Sequence, residues 1–215
     1  MIKIPPVAIT LLKVIIHLTS LCVLLYFYLL IDSGRLGADP VKEMIHFLGK
    51  TALNYLLITL AMTPIAKRFK QPLLLRLKRL LGLYAFVWTC LHLAVFLWLE
   101  LDWEFILLLE EVIKRPYLTL GMSAWFILLL LSITSITPIK RKMKQAWFTL
   151  HRWVYVAAIL GVIHYYWSVK SGVIEPLIYI VICLVLLRER SQYFQSFFKK
   201  LFSALTNKNK IIKGK

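Results

Sequence analysis

The chain has 215 residues, of which 60% are hydrophobic. Soluble domains sit nearer to about 45–50% apolar, so the composition points to an integral membrane protein and leaves no length for a large soluble domain. The formal net charge is +17, but the bases fall in short runs between apolar blocks, which fits a membrane surface and excludes the continuous basic groove that nucleic-acid binding needs.

A bilayer core of about 30 Å requires about 20 helical residues. Six segments approach that length: Val7–Ile31, Ile45–Ala66, Leu80–Leu99, Tyr117–Thr137, Phe148–Val169 and Val173–Leu187. The expected fold is therefore an all-α integral membrane protein, a bundle of six transmembrane helices over residues 1–190, followed by a basic tail at 191–215. The first apolar run is too long for a signal peptide, and no small-residue cleavage pattern precedes Asp32, so it reads as a retained span. Ala38-Asp39-Pro40 is a turn into the second helix, Arg115-Pro116 starts the fourth, and Thr137-Pro138 ends it. The segment Glu100–Glu111 reads as a solvated acidic loop, with docking of a basic partner as the other use. No tandem repeat is evident. Cys22, Cys90 and Cys183 lie singly in apolar blocks, which excludes a zinc site or a disulfide framework and leaves them as small buried side chains.

Lys and Arg concentrate at cytoplasmic helix ends. Residues 67–79 and 138–147 carry Lys67, Arg68, Lys70, Arg76, Lys78, Arg79, Lys140, Arg141, Lys142 and Lys144 with no acid, and the tail from Arg188 carries one acid, Glu189. The alternate loops carry Asp32, Asp39, Glu43, Glu100, Asp102, Glu104, Glu110, Glu111 and Glu175 against six bases. This asymmetry predicts that both termini are cytoplasmic.

An ionisable side chain at membrane depth is costly and marks a functional site. The five histidines are His17, His46, His92, His151 and His164. At 1.5 Å per residue, His92 lies about 18 Å and His164 about 24 Å from the basic ends of their helices, so the two share a level. Imidazoles on two helices at one level are a ligand set for the two axial positions of a haem iron. His151 is the third candidate metal ligand, only about 5 Å from its helix end. A facing ligand would be expected 13 residues before His92, and that residue is Arg79. On an ideal helix His151 and His164 also point about 140° apart, unless the helix is distorted near Gly161. His17, mid-membrane on the first helix, reads mainly as packing within the bundle, with a substitute ligand as its other use. His46, beside Glu43, can meet a quinone, a haem propionate or a partner, or be a solvated loop-end residue. Arg76, Lys78 and Arg79 are explained first by topology, and can also hold haem propionates or a flavin phosphate.

The stretches LGADPVKEMIHFLGKTAL, KQPLLLRLKRLLGLYAFVWTCLH, RPYLTLGMSAWFILLLLSITS and LHRWVYVAAILGVIHYYWSVK resemble the ferric-reductase-like transmembrane family. Within it they are most similar to the haem-binding membrane subunits of bacterial periplasmic methionine-sulfoxide reductase systems. The resemblance implies a bacterial inner-membrane protein that binds haem b and FMN. Such a protein takes electrons from the quinone pool or a cytosolic flavin reductase. It passes them to a periplasmic molybdenum-cofactor reductase that repairs oxidised methionine. It assigns His92 and His164 to an outer haem and His151 to the inner ligand position. Arg79 stands where oxidase-type members have an inner histidine, so the region of Arg76, Arg79 and His151 becomes a candidate flavin or quinone site. No G-x-G-x-x-G fingerprint occurs in the chain, so a separate donor is expected. The residues also admit a non-redox transporter with histidine proton relays, or a structural anchor for a periplasmic enzyme.

Overall fold

The computed structural model describes residues 4–169 and 172–189; the tail expected at 191–215 lies outside the described residues. Nine α-helices are present among them: α1 (Pro6–Asp32), α2 (Pro40–Arg68), α3 (Lys78–Leu99), α4 (Phe105–Lys114), α5 (Pro116–Ile133), α6 (Thr137–Met143), α7 (Gln145–Leu150), α8 (Val154–Ser168) and α9 (Ile174–Arg188). Short 3-10 segments join α2 to α3 (Pro72–Leu77) and α7 to α8 (His151–Trp153). The all-helical expectation holds. Among the described residues five stretches are long and apolar enough to cross a membrane: Pro6–Asp32, Pro40–Arg68, Pro72–Leu99, Pro116–Ile133 and Gln145–Ser168. The expected sixth, α9, is present as a helix of 15 residues, which spans only about 22 Å at 1.5 Å per residue.

Local chemistry sets the helix starts. The Asp39 carboxylate accepts from the Lys42 backbone N–H at 3.2 Å, capping α2, and Pro40 occupies its first turn, where a missing N–H costs nothing. Pro116 opens α5 in the same way. Pro138, expected to close the fourth span, instead sits in the first turn of α6, because α5 has already ended at Ile133. The segment read as a solvated acidic loop is in part the helix α4. Its Phe105, Ile106, Leu109 and Ile113 are exposed, and Lys114 pairs with Glu110 at 2.9 Å. Its apolar residues recur every three to four positions, the spacing of one helix face, so the segment is helical despite its acids.

Contacts across the bundle fix its directions. His92 meets Ile45, and Gly82 approaches Thr59, so α2 and α3 are antiparallel. His164 meets Tyr117, and His151 meets Thr134, so α5 and the α7–α8 segment are antiparallel too. His17 lies against Tyr84, and the Trp88 indole N–H donates to Ser20 at 3.1 Å, so α1 runs alongside α3. Glu175 pairs with Lys50, and the Tyr179 hydroxyl donates to Asn54, so α9 runs with α2. The start of α1 and the end of α9 therefore share the bundle end that carries the 67–79 and 138–147 basic segments. The opposite end holds Asp39, Glu43, Glu100, Glu110, Glu111 and Glu175.

The tightest packing lies where α2, α3, α5 and α8 meet. Ala85, Ala157 and Ala158 are fully buried, and Leu48, Leu56, Leu81 and Trp88 are almost so. Leu11, Leu18, Leu25, Val181 and Leu184 on α1 and α9 are exposed in large part, as befits a surface facing lipid rather than water. Cys22, Cys90 and Cys183 are unpaired, but of the three side chains expected to be buried only Cys183 is; Cys90 is half-buried and Cys22 is exposed on the outer helix α1.

Candidate functional site

The four central helices enclose a cavity of about 440 Å³ toward the acidic end. His92 of α3 and His164 of α8 line it from two sides. Small residues keep it open: Gly49 and Ala52 on α2, Gly121 and Ala124 on α5, Ala157 and Gly161 on α8. Leu53, Leu56, Phe96 and Leu128 make its interior apolar, and Lys42, His46, Lys50, Glu100 and Arg115 line its polar part. An apolar slot with a few convergent polar groups is the general form of a cofactor site.

The two histidine rings have centroids 6.1 Å apart and planes 80° from parallel. The His92 Nδ1–H donates to the Ile45 carbonyl at 2.9 Å, and the His164 Nδ1–H donates to the Tyr117 carbonyl at 2.7 Å. A carbonyl can only accept, so Nδ1 carries the proton on both rings and Nε2 keeps the lone pair. Such a bond to the second nitrogen is the usual way a protein orients a ligating imidazole and strengthens it as a donor. A metal–imidazole bond of about 2 Å, with about 1 Å more from nitrogen to ring centre, puts two rings on opposite faces of one metal about 6 Å apart. The observed spacing fits two axial ligands, and the cavity of small residues fits a flat macrocycle between them.

The other histidines stand apart from this pair, except His46. His46 lines the same cavity, with its ring 6.2 Å from Tyr165 in an edge-on arrangement. His17 is on the exposed side of α1, hydrogen-bonded through Nδ1 to the Tyr84 hydroxyl. His151 is at the basic end, stacked on Trp147 with centroids 3.9 Å apart. Its Nε2 lies 3.1 Å from the Thr134 hydroxyl oxygen. Thr134 has one hydroxyl hydrogen, which goes to the Leu130 carbonyl at 2.7 Å, so the His151 Nε2–H is the donor. Lys140 covers Trp147, 4.4 Å from its ring centre. His151, Arg76 and Arg79 do not line the cavity, and both arginines are exposed. The helix is distorted not near Gly161 but at His151–Trp153, where a 3-10 turn separates α7 from α8. Gly161 sits within regular helix, with Leu53 beside it.

The structure also reveals an internal repeat, although no tandem repeat is evident in the sequence. Both histidines bond a carbonyl 47 residues earlier. Moving 72 positions along the chain superposes Leu48-Gly49 on Leu120-Gly121, Ala52 on Ala124, Leu56-Leu57 on Leu128-Leu129, Ala85 on Ala157 and His92 on His164. The burial follows: Ala52 and Ala124 are each 7% exposed, and Ala85 and Ala157 are each 0% exposed. The two connectors align with a slightly different offset, TPIAKRFKQ against TPIKRKMKQ. Lys70 and Lys144, matched in that alignment, both adopt positive φ, 54° and 48°. The α2–α3 hairpin and the α5–α8 hairpin are thus two versions of one unit, each contributing one histidine. The shared pattern was present in the sequence, but it is spread over helices whose other residues are interchangeable apolar ones.

No solved structure matches the chain. The family described as ferric reductase like transmembrane component matches residues 46–162, a stretch that starts in α2, ends in α8 and includes His92 but stops just short of His164. With that match over more than half of its length, an all-helical build and five stretches fit to cross a bilayer, the chain is a multi-pass membrane protein that belongs to the ferric reductase like transmembrane family.

Proposed function

We propose that this chain is a transmembrane electron carrier of the MsrQ (YedZ) type. In this reading it is a six-span bacterial inner-membrane protein, with both termini in the cytoplasm. It carries one haem b, with His92 and His164 as axial ligands. The observation that supports this best is the histidine pair itself: centroids 6.1 Å apart, both Nδ1 atoms tied to carbonyls, and a cavity of small residues between them.

When bound, haem supplies a one-electron carrier. The protein's own residues do the rest. Ile45 and Tyr117 orient the imidazoles, the leucines of α2 and α5 exclude water, and the polar residues at 42, 46, 50 and 115 can meet the haem carboxylates. Electrons would enter from the quinone pool or a cytosolic flavin reductase. They would leave to a periplasmic MsrP-like molybdenum-cofactor reductase that repairs oxidised methionine. FMN, and any second haem or quinone, belong in this reading to the basic end near Arg76, Arg79 and His151. The proton-relay alternative has less support, because a relay needs both ring nitrogens to exchange protons, and here Nδ1 of each is held by a carbonyl.

The test is the absorbance spectrum of the purified chain after haem-supplemented expression. A Soret band that shifts on dithionite reduction, at about one haem per chain, is expected; a colourless protein would sink the reading. Reoxidation by a methionine-sulfoxide reductase with its substrate then tests the proposed acceptor.

A further inference from the structure

In each hairpin the carbonyl that holds the histidine and a glycine are one turn apart: Ile45 and Gly49 on α2, Tyr117 and Gly121 on α5. Within a helix the carbonyl of residue i already accepts from the N–H of residue i+4. A side chain from a neighbouring helix can reach its second lone pair only by lying over residue i+4 itself. A Cβ on Gly49 would stand 3.1 Å from both Cε1 and Nδ1 of His92, and a Cβ on Gly121 would stand 2.8 Å from Nδ1 and 2.9 Å from Cε1 of His164. Neither glycine has the positive φ that would explain it by backbone conformation. What each provides is the missing methyl group.

We propose that Gly49 and Gly121 are positioning residues that admit the two imidazoles to their carbonyls and so hold the ring planes near perpendicular. This inference rests on the two-histidine haem reading. It adds to it the element that sets the orientation and donor strength of the ligands. Perpendicular imidazoles on ferric low-spin haem give a strongly anisotropic electron paramagnetic resonance signal, whereas parallel ones give a rhombic signal. The Nδ1–H bond to a carbonyl makes imidazole a stronger donor, which favours the ferric state. Breaking the bond moves the reduction potential upward. The two sites are not equal. A contact under 3.0 Å forces the ring of His164 to move, while one of 3.1 Å at His92 can be absorbed by a few tenths of an ångström, so Gly121 has the larger effect.

The experiment compares haem-loaded full-length wild type with Gly121→Ala, Gly49→Ala and the control Gly82→Ala, whose new Cβ would meet Thr59 at an ordinary 3.7 Å. Haem stoichiometry, the ferric resonance spectrum and the midpoint potential are measured on each. Wild type and Gly82→Ala are expected to share the strongly anisotropic signal. Gly121→Ala is expected to lose it, to shift upward in potential, and to bind haem about 10- to 100-fold more weakly, the usual loss when a ligand's orienting partner is removed. Gly49→Ala should move the same way by less, and it decides the matter if Gly121→Ala does not fold. A wild type that takes up haem but shows a rhombic signal, or alanine variants with unchanged signal and potential, would overturn the inference alone. A wild type that takes up no haem would overturn the reading on which it rests.

Discussion

The two ends of the bundle use histidine in opposite ways. Toward the acidic end, His92 and His164 give their Nδ1 protons to carbonyls and keep Nε2 for a cavity. At the basic end, His151 donates from Nε2 to a threonine and lies flat on a tryptophan. One side chain, with two tautomers set by different neighbours, leaves Nε2 free beside the cavity in the first setting and commits it to a hydrogen bond in the second.

Replacing the ligands is the strongest way to break this comparison. On the two-histidine haem reading, His92→Ala or His164→Ala should remove the Soret band altogether, since either change takes away one of the two imidazoles that would hold the iron. A variant that keeps full haem content would show that the pair is not the ligand set. Filling the slot is next. Ala157→Leu puts three more carbons where the side chain is 0% exposed, at a cost of about 1–3 kcal/mol in overpacking, and should lower haem content several-fold while circular dichroism still shows a helical protein. His151→Ala should leave haem stoichiometry unchanged. It should destabilise the chain by about 1–2 kcal/mol, from the lost ring stacking and one hydrogen bond, as read from thermal unfolding in detergent. If His151→Ala instead halves the haem content, the basic end holds a second haem and the contrast drawn above fails. The smallest effect belongs to the partly exposed Lys50–Glu175 pair, where Lys50→Ala should cost at most about 1 kcal/mol in the same measurement.

Much of this was legible from residue order alone. Helix length and the turn chemistry at Asp39-Pro40 and Pro116 locate the main rods to within a few residues. Counting 1.5 Å per residue put His92 and His164 at one level, and the structure brings those two rings together. Three things were not legible, each for a physical reason. Helix α4 was masked by its acids, which lie opposite its apolar face. The break at His151–Trp153 contains no proline or glycine to announce it, and it arises where His151 turns to stack on Trp147. The glycine cradles need a partner helix to acquire meaning. Gly49 and Gly121 look like ordinary small residues until the histidine that each faces is placed beside it.

The duplicated hairpin also has a consequence for how the chain is made. His164 is synthesised 72 residues after His92, which at ribosomal speeds of about 5–20 residues per second is roughly 4 to 14 s later. Throughout that interval the first histidine has been made and its counterpart has not. Its bond to Ile45 lies within the hairpin already delivered, so the imidazole is never an orphaned polar group waiting for the rest of the protein. The second hairpin arrives with its own histidine secured to Tyr117 in the same manner. Each half thus carries within itself the partner that its histidine needs, and only the space between the halves remains to be filled.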